Sequence, residues 1–452
     1  MPSQGTIGDR VRGLRLSRRM SQAQLAGPDL SDSYVSLIES GKRTPTPVVA
    51  RILAERLGCT TEFLLHGIEP RQRIDTELGL RHAELELNHG DPGAAADRFG
   101  EIIKAAGEEN AMLAAHARLG RARALEKQGK LGPAVEAFER LRREAAAHPE
   151  RLADLPLTVA LSRCYQRAGD ILRARDLGGH ALRQVARLGL THGEVAVELA
   201  AALIEAAPTQ GQQNGGLSYV RQVLADNGVP TVVDREAEVH ALWKASVTAA
   251  QGDDSALAIR LADDAIATGR PTRMAVRLAT IAMEWARLAA GGMHDVPLDE
   301  AYGYAKAASE AFAVLPATAP EYAMSRIVIA RLALKLGDLG QAAEHAGSVL
   351  DTVDEPSPTA AAAHMALAQV AMARGDGAAT ESLDRARALL EELGSTADPG
   401  NRRMARTWRE LGDLYGQAGA REQQAAAYRR ALESIDVRSA IVTVPVDSPL
   451  VR

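Results

Sequence analysis

Glycines that interrupt apolar-periodic segments recur along this chain at intervals of one or two times about forty residues. They are Gly90, Gly129, Gly169, Gly252, Gly337, Gly375 and Gly419, at separations of 39, 40, 83, 85, 38 and 44 residues. An interval of about forty residues is typical of a helical hairpin. The two intervals of 83 and 85 residues each contain one loop-like stretch, 207–216 and 288–297, where a further interrupting glycine would be expected. The spacing therefore predicts an all-α array of about nine helical hairpins over residues 75–436.

The last unit carries the residues of a known repeat at their expected offsets. It matches the pattern W-x2-L-G-x2-Y and its continuation at Trp408, Leu411, Gly412, Tyr415, Gly419, Tyr428 and Ala431. Earlier units match parts of the same pattern at Ala134, Phe138, Tyr165, Gly169 and Ala174. The array thus resembles the tetratricopeptide repeat (TPR), with a period longer than the usual length of about 34 residues. The resemblance implies a right-handed α-solenoid whose first helices line a concave binding surface.

Five polar side chains would point to that concave surface if the register of the last unit applies throughout. They are Arg123, Arg163, Gln166, Arg331 and Gln369. They are the candidate contacts for an effector, which is left open as a peptide, a small molecule or a protein. For each of them a simple solvated position is the alternative, because most polar residues on a long array face water.

The composition predicts a soluble cytoplasmic protein. Hydrophobic residues make up 46% and charged residues 25% of the chain, close to the globular average. The sequence holds no run of about 18 apolar residues, and its N-terminus lacks the apolar core of a signal peptide. Cys59 and Cys164 lie far apart, without the spacing of a disulfide framework or a zinc site. We therefore expect neither a membrane partner nor disulfide bonds.

Charge separates a small N-terminal region from the array. Residues 1–66 hold nine Arg and Lys against six Asp and Glu, a net charge of +3, and the remainder holds 44 against 52, a net charge of -8. We predict a separate N-terminal domain at 1–67, a linker at 68–74 and the repeat domain at 75–436. After Asp436 the periodicity stops, so residues 437–452 are predicted to be an extended or disordered tail. Their alternating apolar residues also allow them to pack into a groove of the array or of a partner.

Local signals in the N-terminal region predict five short helices. Ser21 and Gln24 have the S-x-x-Q spacing of a capping box, and Ser31 can cap the third helix. Gly41 stands where a left-handed helix C-terminus is needed. Thr46 with Pro47 opens a fourth helix, and Thr60 can cap a fifth.

The third helix is predicted to present a short polar face. Val35 and Ile38 fall on the side that packs against Leu25, Ala26 and Leu53, which leaves four residues on or near the other side: Asp32, Ser33, Ser36 and Leu37. Small hydroxyls, an acid and an apolar tip can approach base edges in a major groove, while Lys42 and Arg43 lie where the helix would meet phosphate. A small surface helix with a basic last turn is the alternative explanation.

The whole of residues 7–67 resembles the Cro/repressor-type helix-turn-helix family, often called XRE. The resemblance rests on "LRLSRRMSQAQLA", "SYVSLIESGKRTP" and "LAERLGCTTEFLLHG". It implies that Gln22 grips phosphate, that Asp32, Ser33 and Ser36 contact bases, and that Arg15 and Glu39 form an internal ion pair. The full set of DNA contacts that we predict is Ser21, Gln22, Ser31, Asp32, Ser33, Tyr34, Ser36, Leu37, Lys42, Arg43 and Thr44. One departure from the family is a segment between the two helices that is a residue shorter and contains Pro28.

Motifs of nucleotide, metal or nucleophilic chemistry are not found in the sequence, so we predict no enzymatic activity and no cofactor. His82, Glu86 and His89 could share one helix face, but a solvated helix explains them better than a metal site.

The predicted DNA-binding domain, residues 1–67, is called the head below. Head and array together resemble the peptide-responsive regulators of Gram-positive bacteria, here of an actinobacterial type. We therefore expect a dimeric transcription regulator that binds a palindromic operator, with half-sites about 34 Å apart, under control of an effector. The alternative is a TPR interaction scaffold, or a sensor that inhibits another protein, in which the head is secondary.

Overall fold

The computed structural model describes residues 6–66, 70–106, 110–210, 214–292, 296–394 and 402–434. Within these segments every regular element is helical, which confirms the predicted all-α fold. The head contains α1 (Ile7–Ser17), α2 (Gln22–Ala26), α3 (Asp32–Glu39), α4 (Pro47–Arg56) and α5 (Thr61–His66). None of the described helices is both long enough and apolar enough to cross a bilayer. The predicted tail at 437–452 lies outside the described residues.

The array follows as a series of longer helices. They are α6 (Pro70–His89), α7 (Pro92–Ala106), α8 (Ala111–Lys127), α9 (Leu131–Ala147), α10 (Asp154–Ala168), α11 (Ile171–Leu188), α12 (Glu194–Gln210), α13 (Asn214–Asn227), α14 (Glu236–Gln251), α15 (Ser255–Ala290), α16 (Leu298–Ala313), α17 (Ala319–Leu336), α18 (Leu339–Leu350), α19 (Pro358–Arg374), α20 (Ala379–Gly394), α21 (Arg402–Gln417) and α22 (Arg421–Glu433). A short 3₁₀ turn, Pro316–Thr318, precedes α17. Helix α6 begins inside the stretch that the sequence predicts as a linker.

The predicted helix boundaries of the head are confirmed. Ser21 and Gln24 form a reciprocal capping box at α2, and the Ser31 hydroxyl accepts from the Tyr34 backbone N–H at α3. Thr46 caps α4 ahead of Pro47. These contacts satisfy backbone N–H groups that have no partner inside the first turn of a helix.

A compact apolar core holds the head together. Leu25, Ala26, Val35, Ile38 and Leu53 are buried in it, as the spacing on the third helix predicted. The first and third helices approach closely at one glycine: a Cβ on Gly8 would lie 2.3 Å from the carbonyl oxygen of Ile38. No other residue fits there without moving α3.

Glycine turns separate the helices of the array as predicted. Gly129, Gly169, Gly337, Gly375 and Gly419 all adopt positive φ, between 71° and 90°. This left-handed conformation ends a helix at little cost only for glycine. The sequence prediction fails at one boundary. The second helix of the fifth hairpin and the first helix of the sixth form the single 36-residue helix α15, which continues through Pro271.

The TPR signature of the last hairpin consists of packing residues. Trp408, Leu411 and Tyr415 are buried. A Cβ on Gly412 would lie 2.5 Å from the ring of Tyr428, so glycine is what allows α21 and α22 to cross so closely. Small residues at helix crossings also mark other hairpins: Ser162 donates a hydrogen bond to the Ala174 carbonyl oxygen across α10 and α11 at 2.8 Å.

The chain divides into two compact units, and each includes a hairpin out of sequence order. The first comprises residues 1–181 and 235–271, and the second comprises 182–234 and 272–452. In the first unit, α14 and the start of α15 pack against α6, which lies more than 140 residues earlier in the chain. In the second unit, Arg221 of α13 pairs with Glu300 of α16 at 2.6 Å, and Arg277 of α15 pairs with Glu198 of α12 at 2.9 Å.

The docking of α14 and α15 on α6 combines an apolar centre with polar contacts. Leu78 and Leu85 are buried with Val239 and with alanines of α15. His82 Nε2 lies 2.9 Å from Ser246 Oγ. Two further pairs join α6 to the hairpin: Arg81 with Asp263 at 2.6 Å, and His89 with Glu236 at 2.9 Å. These contacts explain the two histidines, for which the sequence suggested a solvated face or a metal site.

We expect Leu85→Ala to release the hairpin 236–271, because a buried Leu to Ala change costs about 2–5 kcal/mol. Amide hydrogen exchange should accelerate throughout α14 and the start of α15. Leu87→Ala is the matched control, since Leu87 lies on the same helix but packs toward α7 and α8. If exchange in 236–271 responds to Leu87→Ala and not to Leu85→Ala, the out-of-order docking is wrong.

Candidate nucleic-acid interface

The outer side of α3 is an open polar face. Asp32, Ser33, Ser36 and Leu37 are exposed, while the intervening Val35 is completely buried. The Ser31 cap fixes where the helix starts, and its single buried stripe fixes its rotation. The four side chains that the sequence predicted as base contacts therefore share one unobstructed surface of the head. Tyr34 is half-buried at the edge of this face.

A buried polar network fixes α3 against α1 and α2. Arg15 of α1 donates two hydrogen bonds to Glu39 of α3, with Nε to Oε1 at 2.6 Å and Nη2 to Oε2 at 2.9 Å. Gln22 of α2 donates to the same carboxylate, with Nε2 to Oε2 at 2.8 Å. Both members of the ion pair are at least nine-tenths buried. The ion pair that the family resemblance implied is present, and Gln22 donates to its carboxylate.

Electrostatics in this network favour the charged pair. Burial alone would raise the pKa of the Glu39 carboxyl, but the hydrogen bonds from Arg15 and Gln22 outweigh it, and the pKa is lowered below its ordinary value. The hydrogen bond to Glu39 correspondingly raises the pKa of Arg15. Two or more charge-assisted hydrogen bonds to one carboxylate are the arrangement that makes a buried ion pair stable.

The basic loop after α3 folds back onto the helix. The backbone N–H groups of Lys42 and Arg43 both donate to the Leu37 carbonyl oxygen, at 3.0 and 3.2 Å. The Arg43 guanidinium lies over the Tyr34 ring, 5.1 Å from its centroid. Lys42, Arg43 and Thr44 are exposed. The loop thus presents its charges next to the polar face.

Residues 11–64 match the family described as Helix-turn-helix. The head is a helix-turn-helix domain of the Cro/repressor (XRE) type. The match spans α2, α3 and α4 with the residues that carry the network and the polar face. No curated protein matches the sequence of the whole chain.

Several solved structures are similar to most of this chain. A TPR protein from Parabacteroides merdae is 14% identical, with 71% of this chain and 93% of that chain covered and a TM-score of 0.38. PlcR of Bacillus thuringiensis, in complex with the peptide PapR7 and DNA, is 15% identical, with 71% and 99% covered and a TM-score of 0.27. The apo form of RapI is 13% identical, with 90% and 97% covered and a TM-score of 0.46. The chain thus joins a helix-turn-helix head to an array of helical hairpins.

Four of the nine basic residues of the helix-turn-helix head brace its own backbone. Arg10 donates to the carbonyl oxygens of Leu64 and Leu65, at 3.0 and 2.7 Å. Arg56 donates to the carbonyl oxygens of Leu25 and Ala26 and pairs with Asp29. Arg18 donates to the Gly58 carbonyl oxygen, and Arg15 belongs to the buried network. The net charge of the head therefore overstates the charge available to DNA.

Besides Arg18, three exposed arginines of the head were not among the predicted DNA contacts, and Gln22 makes a contact that the sequence did not indicate. The three arginines are Arg12, Arg19 and Arg51. Arg19 has φ of 56°, which no local sequence signal indicates. Gln22 was predicted to grip phosphate, and its amide nitrogen also lies within hydrogen-bond distance of Glu39. The S-x-x-Q box at Ser21 could locate α2 but not the partner of its first residue.

The five predicted effector contacts lie in different surroundings. Arg123 is exposed on α8, and Gln166 is half-buried on α10. Arg163 is held by the buried Glu126, with Nε to Oε1 at 2.5 Å. Arg331 of α17 pairs with Glu410 of α21 at 2.6 Å, and its Nε is buried without a hydrogen-bond partner among the described residues. The Oε1 atom of Gln369, on the intervening helix α19, is also buried without one.

Among the described residues, no group of three or more His, Cys, Asp or Glu side chains is placed to bind a metal ion. Cys164 is completely buried beside Glu126. Burial first, and then the charge of Glu126, raises the pKa of this thiol to about 12. Such a thiol carries almost no thiolate at neutral pH, so it packs as a small apolar group.

We expect Glu39→Gln to lower the free energy of unfolding of the head by about 3–5 kcal/mol, because it leaves the Arg15 charge buried without its counterion. Local free energies from amide exchange in α1 and α3 measure the effect. The double change Arg15→Met with Glu39→Leu is the control and should recover most of the protection, since a buried ion pair can be replaced by apolar groups of similar size. Full protection in Glu39→Gln would contradict the role of the network.

The same network gives the head a defined response to acid. The pKa of Glu39 is lower in the folded state than in the unfolded state, so the unfolded chain binds more protons. The stabilisation is complete above the ordinary value of 4.5 and is lost as the pH falls through the lower folded-state pKa.

Proposed function

We propose that this protein is a sequence-specific DNA-binding transcription regulator whose array binds an effector that controls DNA binding. The observation that carries the proposal is the open face of α3 on a helix-turn-helix head. In such heads the second helix of the motif lies in the major groove and its first residues contact base edges. Here those residues are short and exposed, and they stand on a helix that a buried network holds in place.

Affinity comes from phosphate contacts around that face. Lys42, Arg43 and Thr44 follow α3, and Ser21 and Gln22 begin the preceding helix. Phosphate contacts position a protein on the duplex without reading its sequence. Gln22 has a second amide hydrogen besides the one directed at Glu39, so it can donate to phosphate without leaving the network.

A single head makes few contacts, so we propose that the protein binds as a homodimer. Helix-turn-helix dimers bind two half-sites about 34 Å apart, and a two-fold protein requires a palindromic operator. The intact protein should therefore bind a paired site far more tightly than a single half-site. Affinity that is unchanged when one half-site is scrambled would contradict the dimer.

The second compact unit offers the better location for the effector. Arg331, Gln369 and Glu410 come from the first helices of three successive hairpins, and the ion pair from α17 to α21 spans α19. A cavity of about 610 Å³ lies beside Gln369 and is lined by Leu334, Met372, Thr380 and Gln417, among others. In the first unit the Glu126 side chain that pairs with Arg163 is only 5% exposed, whereas the Glu410 side chain that pairs with Arg331 is 34% exposed and is more easily displaced by a ligand.

The polar atoms at this location suggest the chemistry of the effector. The Nε of Arg331 is a buried donor, and the Oε1 of Gln369 is a buried acceptor. Neither of these two atoms has a hydrogen-bond partner among the described residues. A buried polar atom without a partner costs about 1–3 kcal/mol, so a ligand that satisfies both gains that free energy. An amide group carries one donor and one acceptor, which favours a peptide or an amide-bearing small molecule. For the ligand to control DNA binding, it must have different affinities for the arrangement of the protein that binds DNA and the arrangement that does not.

For the DNA interface, we expect two pairs of substitutions to act differently. Lys42→Ala with Arg43→Ala should weaken binding to all sequences alike and reduce the slope of log K against log salt by about 0.9 for each phosphate that is no longer neutralised. Ser33→Ala with Ser36→Ala should relax base preference and leave the salt slope unchanged. Fluorescence anisotropy with a labelled DNA duplex from the region upstream of the protein's own gene, at two or more salt concentrations, measures both quantities.

Arg121→Ala is the matched control, because Arg121 is an exposed arginine of the array. It should change neither affinity nor salt slope. If all four substitutions in the head leave binding untouched, the docking face is wrong. If the intact protein binds no duplex specifically, the interaction-scaffold function is favoured instead.

For the effector site, we expect Gln369→Leu to raise the stability of the second unit by about 1 kcal/mol and to abolish effector retention. The gain arises because a buried acceptor without a partner is removed. Native mass spectrometry of the protein purified gently from its host detects a retained peptide or metabolite. Gln166→Leu is the matched change in the first unit and should leave retention intact. The reverse pattern would place the effector in the first unit.

A further inference from the structure

The exposed side of α3 lacks the side chains that read purines. Its sequence is DSYVSLIE, with no Arg, Lys, Asn or Gln. Guanine is commonly read by Arg or Lys, and adenine by Asn or Gln, through paired hydrogen bonds to the Hoogsteen edge. We propose that α3 reads pyrimidine edges, with Asp32 accepting from the N4 amino group of cytosine and Leu37 contacting the C5 methyl group of thymine. This inference rests on the proposed DNA-binding function.

Three nearby side chains that could read purines have contacts within the head. The Gln22 amide donates to Glu39, and the Arg15 guanidinium is buried against the same carboxylate. The Arg43 guanidinium lies over the Tyr34 ring. Readout by the first turn and the middle of α3 is therefore left to an acid, two hydroxyls and an aliphatic side chain.

Leu37 is an unusual residue for the exposed side of the last turn of α3, because the other exposed residues of this helix are polar. Its side chain is exposed, at 38% of its full area, with Asp32, Ser33 and Ser36 on the same side of the helix. Its backbone is locked, because its carbonyl oxygen accepts from the N–H groups of Lys42 and Arg43. An aliphatic group on a rigid backbone gains free energy only by contact with another apolar group. The thymine methyl is the apolar group that a major groove offers.

Asp32 selects cytosine by charge and hydrogen bonding. Its carboxylate is exposed in the first turn of α3, without a hydrogen-bond partner among the described residues. A carboxylate only accepts hydrogen bonds, and the amino groups of cytosine and adenine are the donors in the major groove. The adenine amino group lies beside the acceptor N7, which repels a carboxylate. Cytosine is therefore the base that Asp32 fits best.

The test begins with a selection of binding sites from random duplexes by the full-length protein. Each thymine of the best half-site is then replaced singly by uracil, which removes only the methyl group. We expect one replacement per half-site to weaken wild-type binding about fourfold, the effect of leaving about one methylene unburied. Leu37→Ala should bind the thymine and uracil duplexes equally. Leu16→Ala is the matched control, because Leu16 is an exposed leucine on α1, and it should keep the discrimination.

Asp32 is tested in the same assay by changing one base pair at a time. We expect Asp32→Ala to lose at least a fivefold preference for one C·G pair of the half-site, the lower end of the value of a good base contact. The inference is overturned if specific, salt-dependent binding persists but no thymine methyl matters. It is also overturned if the methyl effect survives in Leu37→Ala, since the methyl then acts on DNA shape. A complete absence of specific binding would instead overturn the proposed function, and this inference with it.

Discussion

Each helical hairpin of the array has an apolar face that it cannot bury alone, and the fold depends on where each hairpin finds a neighbour. Close stacking needs small residues at the crossings, as at Gly120, where a Cβ would lie 2.4 Å from the Phe99 ring. Alanine is the commonest of the buried apolar residues, and aromatic residues make up only 3% of the chain. The face of α6 that would begin the array is covered by α14 and α15 through Leu85 and Val239. The first unit thereby avoids an uncovered apolar end.

In the helix-turn-helix head, a buried ion pair helps to hold a short helix in place. Its third helix is only eight residues long, too short to be stable alone. Val35 and Ile38 bury one side of it, and Glu39 ties its end to Arg15 and Gln22. A polar network of this kind is satisfied in one geometry only, so it specifies the rotation of α3 as well as its location. That rigidity is what a base-reading surface requires, because a small misplacement of a hydrogen bond removes its selectivity.

Regulation would need the array to have two arrangements of different effector affinity. The ion pair between Arg331 and Glu410 is a suitable element, since it spans α19, whose Gln369 borders the cavity. A ligand that takes the Arg331 guanidinium must compete with Glu410, and breaking that pair changes what holds α17 to α21. In the proposed mechanism, effector binding would be linked to the packing of three hairpins through this one side chain.

The sequence by itself determined the helices and the chemistry of the head. Caps such as Ser21 and Ser31, the positive φ of Gly169 and Gly375, and the apolar period act within a few residues, so they can be recognised without knowing the fold. Only the tertiary structure decided that α15 continues through Pro271 and that its hairpin packs on α6. It also decided that Arg163 belongs to Glu126 and Gln22 to Glu39. Alanine-rich faces of similar shape can pack on one another in many combinations, and partners far apart in the chain leave no local signal of which combination buries the most surface.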